Sequence, residues 1–193
     1  FEGDNYSAAW REEAAKRGLL NINNCPDAFA QLMNPVNFDM LTSPRFQLFS
    51  RKELLSRHHI LLEKYVKDLL IEANMLKTML KSQIVPAAFE YRRSVAEGAA
   101  NLIACGGGAE PEVAALKRIT PILAEVQKGV EYLEAVIVEV NESKDNVEKH
   151  ACAANALIVP AMEAVREHVD LLETLVGDSY WPFPRYQELL FQI

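Results

Sequence analysis

One segment leaves this chain little freedom in what it can fold into. Between Leu116 and Val140 two apolar series run with sevenfold spacing. Leu116, Leu123, Val130 and Ile137 form one; Ile119, Val126, Leu133 and Val140 form the other. Together they alternate three and four residues apart, the pattern of a helix that buries a single seam. Such a seam must pack against other helices, and its 3.5-residue period predicts a left-handed supercoil. Pro121 falls inside the run, which predicts a kink or a restart with Thr120 as cap.

Two more runs can supply the partners. Ser50-Arg51-Lys52-Glu53 has the form of a capping box, with Ser at the N-cap and Glu three residues on. After it Leu55, Leu62, Leu69 and Leu76 recur every seven residues, with Tyr65, Ala73, Leu80 and Ala87 on the same face. Pro86 interrupts the pattern, which resumes with Phe89, Tyr91 and Val95. One helix over about 51–104, kinked near Pro86 and roughly 80 Å long, is expected. Gly106-Gly107-Gly108 ends it, and Pro111 suits the first turn of the next helix. A turn at Asn141-Glu142-Ser143-Lys144 and a cap between Asp145 and Glu148 lead into the third run. There Ala151, Ile158, Val165 and Leu172 form the stripe, beside Val147, Ala154, Ala161 and Leu175. Pro160 is interior to it, and Gly177 is expected as the C′ stop.

The ends are shorter-ranged. Ser7 is a fitting N-cap for a helix that carries Trp10 and stops at Gly18. Residues 19–49 are punctuated by Asn and Pro, with short helices expected at about 26–33 and 36–41. Phe29, Leu32, Met33, Phe38, Met40, Leu41, Phe46, Leu48 and Phe49 make this stretch too apolar for a free linker, so it should lie on the long helices. Trp181-Pro182-Phe183-Pro184 should be extended, since each Pro disfavours helix in the residue before it. A last helical turn is expected at about 185–191. The fold class is therefore all-α: an up-down-up bundle of three long, partly kinked antiparallel helices. Three regions are expected: 1–49 packing on the bundle, the bundle itself over 50–177, and a C-terminal strap with a short helix over 178–193.

Composition narrows the function. With 193 residues, half of them hydrophobic and only 8% aromatic, one helical domain with a real core is the expectation. A net charge of -7 and no basic run argue against nucleic acid, whose phosphates need clustered Lys and Arg. No apolar run reaches the ~18–20 residues that span a bilayer. Three widely spaced cysteines, Cys25, Cys105 and Cys152, give neither a metal motif nor a disulfide framework, and a reducing compartment is expected, cytoplasm or organelle interior. A chain that opens at Phe1 rather than Met is expected to be processed or truncated, so a targeting segment is not to be read from it.

Candidate chemistry is sparse. His58 and His59 are adjacent, so on a helix they point about 100° apart and cannot serve one metal together. His59 and Glu63 share a face and could form half a site, yet no partner is identifiable elsewhere. We read the pair as surface or interhelical hydrogen-bonding groups; a small-molecule or metal-binding bundle enzyme rests on them alone. Gly106-Gly107-Gly108 follows a helix and lacks the Lys-Ser/Thr of a phosphate loop. Glu72, Glu125, Glu131 and Glu134 read as solvated faces of helices, without the Glu-x-x-His pairs of a carboxylate-bridged metal centre. On residues alone the chain is a non-enzymatic bundle. Its candidate packing or interface residues are Trp10, Tyr65, Met162, Trp181, Phe183, Tyr186 and Phe191.

Both ends of the chain carry a family pattern. Gly3-Asp4-Asn5-Tyr6-Ser7, Trp10, Glu13-Ala14 and Lys16-Arg17-Gly18-Leu19 resemble the segment that follows the catalytic barrel in type III glutamine synthetases. Leu55-Ser56-Arg57, Ile60, Leu62-Glu63, Tyr65, Lys67, Ile71-Glu72-Ala73 and Pro86-Ala87 resemble that family's next helix. Val159-Pro160-Ala161-Met162, Arg166, Asp170, Leu172-Glu173, Leu175-Val176, Tyr180-Trp181-Pro182-Phe183-Pro184, Tyr186 and Leu189-Leu190-Phe191 resemble its C-terminus. Over 99–145 only the heptad character matches. His59 and Arg185 depart from the family's usual residues without upsetting the fold.

The resemblance implies a family that ligates ammonia to glutamate with ATP and divalent Mg or Mn, in large ring-shaped oligomers. Its metal, nucleotide and glutamate contacts lie upstream, in β-grasp and barrel portions whose motifs this chain lacks. It therefore implies no catalytic, cofactor-binding or metal residue here, and no cofactor for this chain alone. What it implies is a C-terminal helical region that braces the catalytic part and makes subunit contacts with protein partners, in a self-oligomer or a larger complex. The alternative is a free-standing scaffold subunit derived from that region, without ligase activity, in a larger assembly such as an organellar, photosynthetic or respiratory complex.

Overall fold

The computed structural model describes residues 3–4, 6–143, 146–184 and 186–190, apart from the side chains of Tyr186 and Gln187. The described elements are helical. Three short helices, α1 (Ala8–Lys16), α2 (Cys25–Ala30) and α3 (Pro35–Leu41), precede the long α4 (Arg51–Met79). A π-helical turn at Leu80–Ile84 joins α4 to α5 (Val85–Ala104). Then come α6 (Glu110–Glu142), α7 (Val147–Glu173) and the short α8 (Tyr186–Leu190).

Local chemistry sets the helix ends. Ser50 and Glu53 form the reciprocal capping box: Glu53 N–H donates to Ser50 Oγ at 3.2 Å, and Ser50 N–H to Glu53 Oε2 at 2.7 Å. Hydrogen bonding from Ser50 to the Glu53 carboxylate, most strongly from its backbone N–H and then from its side chain, holds that carboxyl below its ordinary value. Gly18 and Gly106 both take positive φ, 68° and 80°. In each case the next residue's N–H reaches back to close a Schellman cap, Leu19 to Ala14 and Gly107 to Leu102, both at 2.9 Å.

The expected kink at Pro86 takes a specific form. Val85 N–H donates to the Leu80 carbonyl, five residues back, immediately before the proline that has no N–H to give. The wider turn lets the helix run on without forcing the proline ring into an α-helical ladder. Pro121 and Pro160 leave no such mark. Each sits on an exposed face of one continuous helix, with the carbonyl four residues back on an exposed residue, Lys117 or Ala156. Water can satisfy those carbonyls, so no restart at Thr120 occurs.

Two core clusters show the direction of each helix. The first joins Leu62–Ala73 of α4, Leu133–Val140 of α6 and Ala151–Ala161 of α7. The second joins Leu80, Ile84 and Ala88 around the π turn to Ile119–Val130 of α6, Val165–Leu172 of α7 and Val176 just past its end. Rising numbers in α4–α5 meet falling numbers in α6 and rising numbers in α7, which is the up-down-up order. The seam of α6 is buried as its spacing demands, from Ile119 through Leu123, Val126, Val130, Leu133 and Ile137 to Val140. Against it α7 presents small residues, Ala151, Ala154 and Ala161, so backbone lies close to bulky side chains.

Three local expectations are corrected. Leu55 does not join the α4 stripe: it is 52% exposed, and Leu54, at 1%, and the buried His58 take its place. At this end α4 packs against α2, the Gln31–Met33 turn and α3, so its buried face rotates away from the sevenfold line. Gly177 is not a left-handed stop. The helix ends at Glu173 with Thr174 as cap, and Gly177 has φ -61°. A Cβ there would lie 3.2 Å from Cε2 of Tyr91, so it is room beneath that ring that favours glycine. Finally, the arm over 19–49 covers the bundle only in part. Phe29 packs on the first cluster, while Met40, Phe46 and Leu48 are exposed.

Asn24 and Asn34 cap α2 and α3 through Asp27 N–H and Val36 N–H. Trp181 is extended, with φ -72° and ψ 126°, and packs with Phe183 on the second cluster beside an edge-on Tyr91–Tyr180 pair. The helix extends to Glu142 where a turn was expected, and Asn146 caps α7, accepting from Glu148 and Lys149 N–H. Asp145, read as part of that cap, lies outside the described residues.

Candidate functional site

The two adjacent histidines part company, as helical geometry requires. His58 is buried, with Nδ1 4.0 Å from Glu148 Oε1 on the first turn of α7. His59 faces outward, with Nε2 3.4 Å from Glu63 Oε1, and Lys67 Nζ lies 3.6 Å from the other oxygen of Glu63. This is an i, i+4 ladder of exposed groups, in which the Glu63–Lys67 ion pair is worth a few tenths of a kcal/mol.

The ladder edges a cleft of about 520 Å³ where α4, the end of α6 and the start of α7 meet. Val66 and Val147 contribute apolar wall; Asn141 and His150 contribute polar groups. The Nε2 atom of His150 is buried and has no hydrogen-bond partner in the structure. Sequence reading missed His150. The antiparallel register that sets the start of α7 beside His59 and Glu63 was the only signal for it. Among the described residues no cluster of three His, Cys, Asp or Glu side chains could hold a metal ion. The cysteines Cys25, Cys105 and Cys152 are free and exposed.

The candidate packing residues fall in three places. Trp10 is half-buried on α1. Tyr65 and Met162 pack against the first cluster, and Tyr65 Oη donates to Asn155 Oδ1 on α7 at 2.7 Å. Burial raises the Tyr65 hydroxyl above its ordinary value, with smaller contributions from Cys25 and Glu72. Trp181 and Phe183 lie on the second cluster. The Tyr186 side chain and Phe191 lie outside the described residues.

A second feature was not legible in the sequence. Around the start of α4, guanidinium groups cover aromatic rings: Arg57 over Phe49 at 4.9 Å, Arg51 over Phe38 at 5.1 Å and Arg45 over Phe46 at 5.7 Å. Beside them an apolar groove of about 480 Å³ runs between Leu32, Phe49, Leu54 and Ile60. No helix among the described residues is long and apolar enough to cross a membrane.

These features define a class: a three-helix bundle with a cleft at one corner and an arginine-rimmed apolar groove near the start of α4. The comparisons with known proteins agree on where it belongs. The family model of the glutamine synthetase C-terminal domain matches residues 1–102. A glutamine synthetase of Bacteroides fragilis is 32% identical over 99% of this chain, but over only 27% of its own length. A type-3 glutamine synthetase of Dictyostelium discoideum is 30% identical over 99% of the chain and 26% of itself. A glutamine synthetase of Butyrivibrio fibrisolvens is 27% identical over the whole chain and 27% of itself. The chain belongs to the glutamine synthetase C-terminal domain family, and the resemblance read from its ends holds. It spans about a quarter of the length of these curated relatives, so the catalytic domain of such an enzyme is not among these residues.

Proposed function

We propose that the chain is a non-catalytic assembly region of type III glutamine synthetase. Its bundle braces the part of such an enzyme that carries out ligation and supplies contacts between subunits. The observation that carries this reading is the family match combined with coverage of only 27% of a whole relative. A long, continuous three-helix seam supports it, because such a seam resists bending and can hold surfaces at fixed separation. ATP and divalent metal belong, on this reading, to portions of the enzyme outside these residues.

The test is direct. The purified 193-residue chain, assayed for γ-glutamyl transfer with Mn²⁺ and ADP, is expected to show background rates only. Transfer above background would overturn the non-catalytic reading.

A further inference from the structure

We propose that the face around the start of α4 is the docking surface for the remainder of a glutamine synthetase polypeptide, through an apolar segment flanked by carboxylates. The inference rests on the assembly reading above and names the surface that would carry it.

Single exposed apolar side chains are ordinary, but a continuous group with a charged rim marks a contact surface. Here Val36 and Met40, one turn apart on α3, are exposed together, and so are Phe46 and Leu48 in the segment leading to α4. α3 packs on α4, and Phe49 enters the groove where Ile60 is 56% exposed. The segments that carry them adjoin: Phe49 N–H donates to the Leu41 carbonyl, and Arg51 reaches both Asp39 and the Phe38 ring.

The rim decides the occupant. The chain carries a net charge of -7, yet Arg45, Arg51, Lys52 and Arg57 gather at this face against Asp39 and Glu53. Each of the three guanidinium centres lies no farther than 5.7 Å from its ring centroid, and Arg51 also holds Asp39 Oδ1 at 3.1 Å, so these side chains are held in place at the rim. Stacking has already restricted the side chain, so less freedom is lost when it grips a carboxylate. Aromatic and arginine side chains around an apolar groove are also the residues that dominate binding energy at interfaces. The portion of such an enzyme without counterpart here is about three quarters of a relative's length, and the family match over 1–102 contains the whole face.

A photo-crosslinking residue placed at Ile60 or, as control, at Leu171 on α7 tests this in the polypeptide as natively encoded, with crosslinked peptides mapped by mass spectrometry. The expected result is crosslinks from position 60 to glutamine synthetase peptides outside these 193 residues, close to Asp or Glu. Phe46→Glu with Arg57→Glu should lower their yield at least about tenfold, with melting of the chain unchanged, since both side chains are exposed. Crosslinks from position 60 to a second copy of these residues would overturn the proposal. So would an undiminished yield in the double variant. Crosslinks to glutamine synthetase peptides from position 171 and none from 60 would reject this face but leave the assembly reading standing. Absence of such peptides from both positions would reject the assembly reading as well.

Discussion

A Cβ on Gly129 of α6 would sit 2.8 Å from Cγ2 of Val165 on α7, and 3.1 Å from its Cβ. Val165 is β-branched and buried, so it cannot swing aside. The pair marks the closest approach between the two helices for which a glycine is responsible. Gly129→Ala gains helix propensity of about 1 kcal/mol, yet overpacking costs about 1–3 kcal/mol. A net loss of stability is expected in thermal or urea unfolding. Adding Val165→Ala should make Gly129→Ala stabilising in that background. Additive behaviour of the two substitutions would show that the contact is slack.

The register at the start of α4 can be tested by neighbours. Leu54→Ala should cost about 2–5 kcal/mol, because it opens a cavity under the arm. Leu55→Ala should change stability by less than about 0.5 kcal/mol. Equal losses in urea denaturation would restore the sevenfold line through Leu55.

Tyr65 ties α4 to α7 through Asn155, and burial raises its hydroxyl. The folded state thus holds that proton more tightly than the unfolded chain. The corresponding stability is fully present below the ordinary tyrosine value of about 10 and is lost as pH rises through the higher folded value. Tyr65→Phe should cost about 1 kcal/mol at neutral pH for the lost hydrogen bond. It should also remove part of the fall in stability at alkaline pH. Melting curves from pH 8 to 11 check both; an unchanged alkaline slope would free Tyr65 from that role.

Trp181 and Phe183 close the second cluster, so Trp181→Ala should lower stability by about 2 kcal/mol, less than a fully buried Trp because the ring is half-exposed. Leu189→Ala, at an exposed position of α8, should leave melting unchanged. A silent Trp181→Ala would place that ring outside the stabilising core.

Much of this fold is written in residue spacing. The 3–4 alternation from Leu116 to Val140 dictates a helix with one buried seam, because only 3.6-residue periodicity aligns those side chains. Ser50 with Glu53, Gly18 and Gly106 dictate helix ends, because their hydrogen bonds and positive φ are local. The family could likewise be read from the ordered residues at both ends. Other features needed the tertiary structure. An interior proline such as Pro86 removes one ladder bond but does not choose between the π turn at Leu80–Ile84 and the unmarked passage of Pro121 and Pro160; packing against α6 and α7 accompanies the turn. Leu54 displaces Leu55 because α2 and α3 cover that side of α4, and nothing in the heptad spacing shows a neighbour's position. Gly177 looked like a helix stop, yet its role comes from Tyr91, more than eighty residues away. His150 enters the cleft beside His59, and arginines cover Phe38, Phe46 and Phe49, only once the chain is folded. Local hydrogen bonding and periodicity are properties of a segment, whereas burial and charge placement are properties of the surfaces that segments bring together.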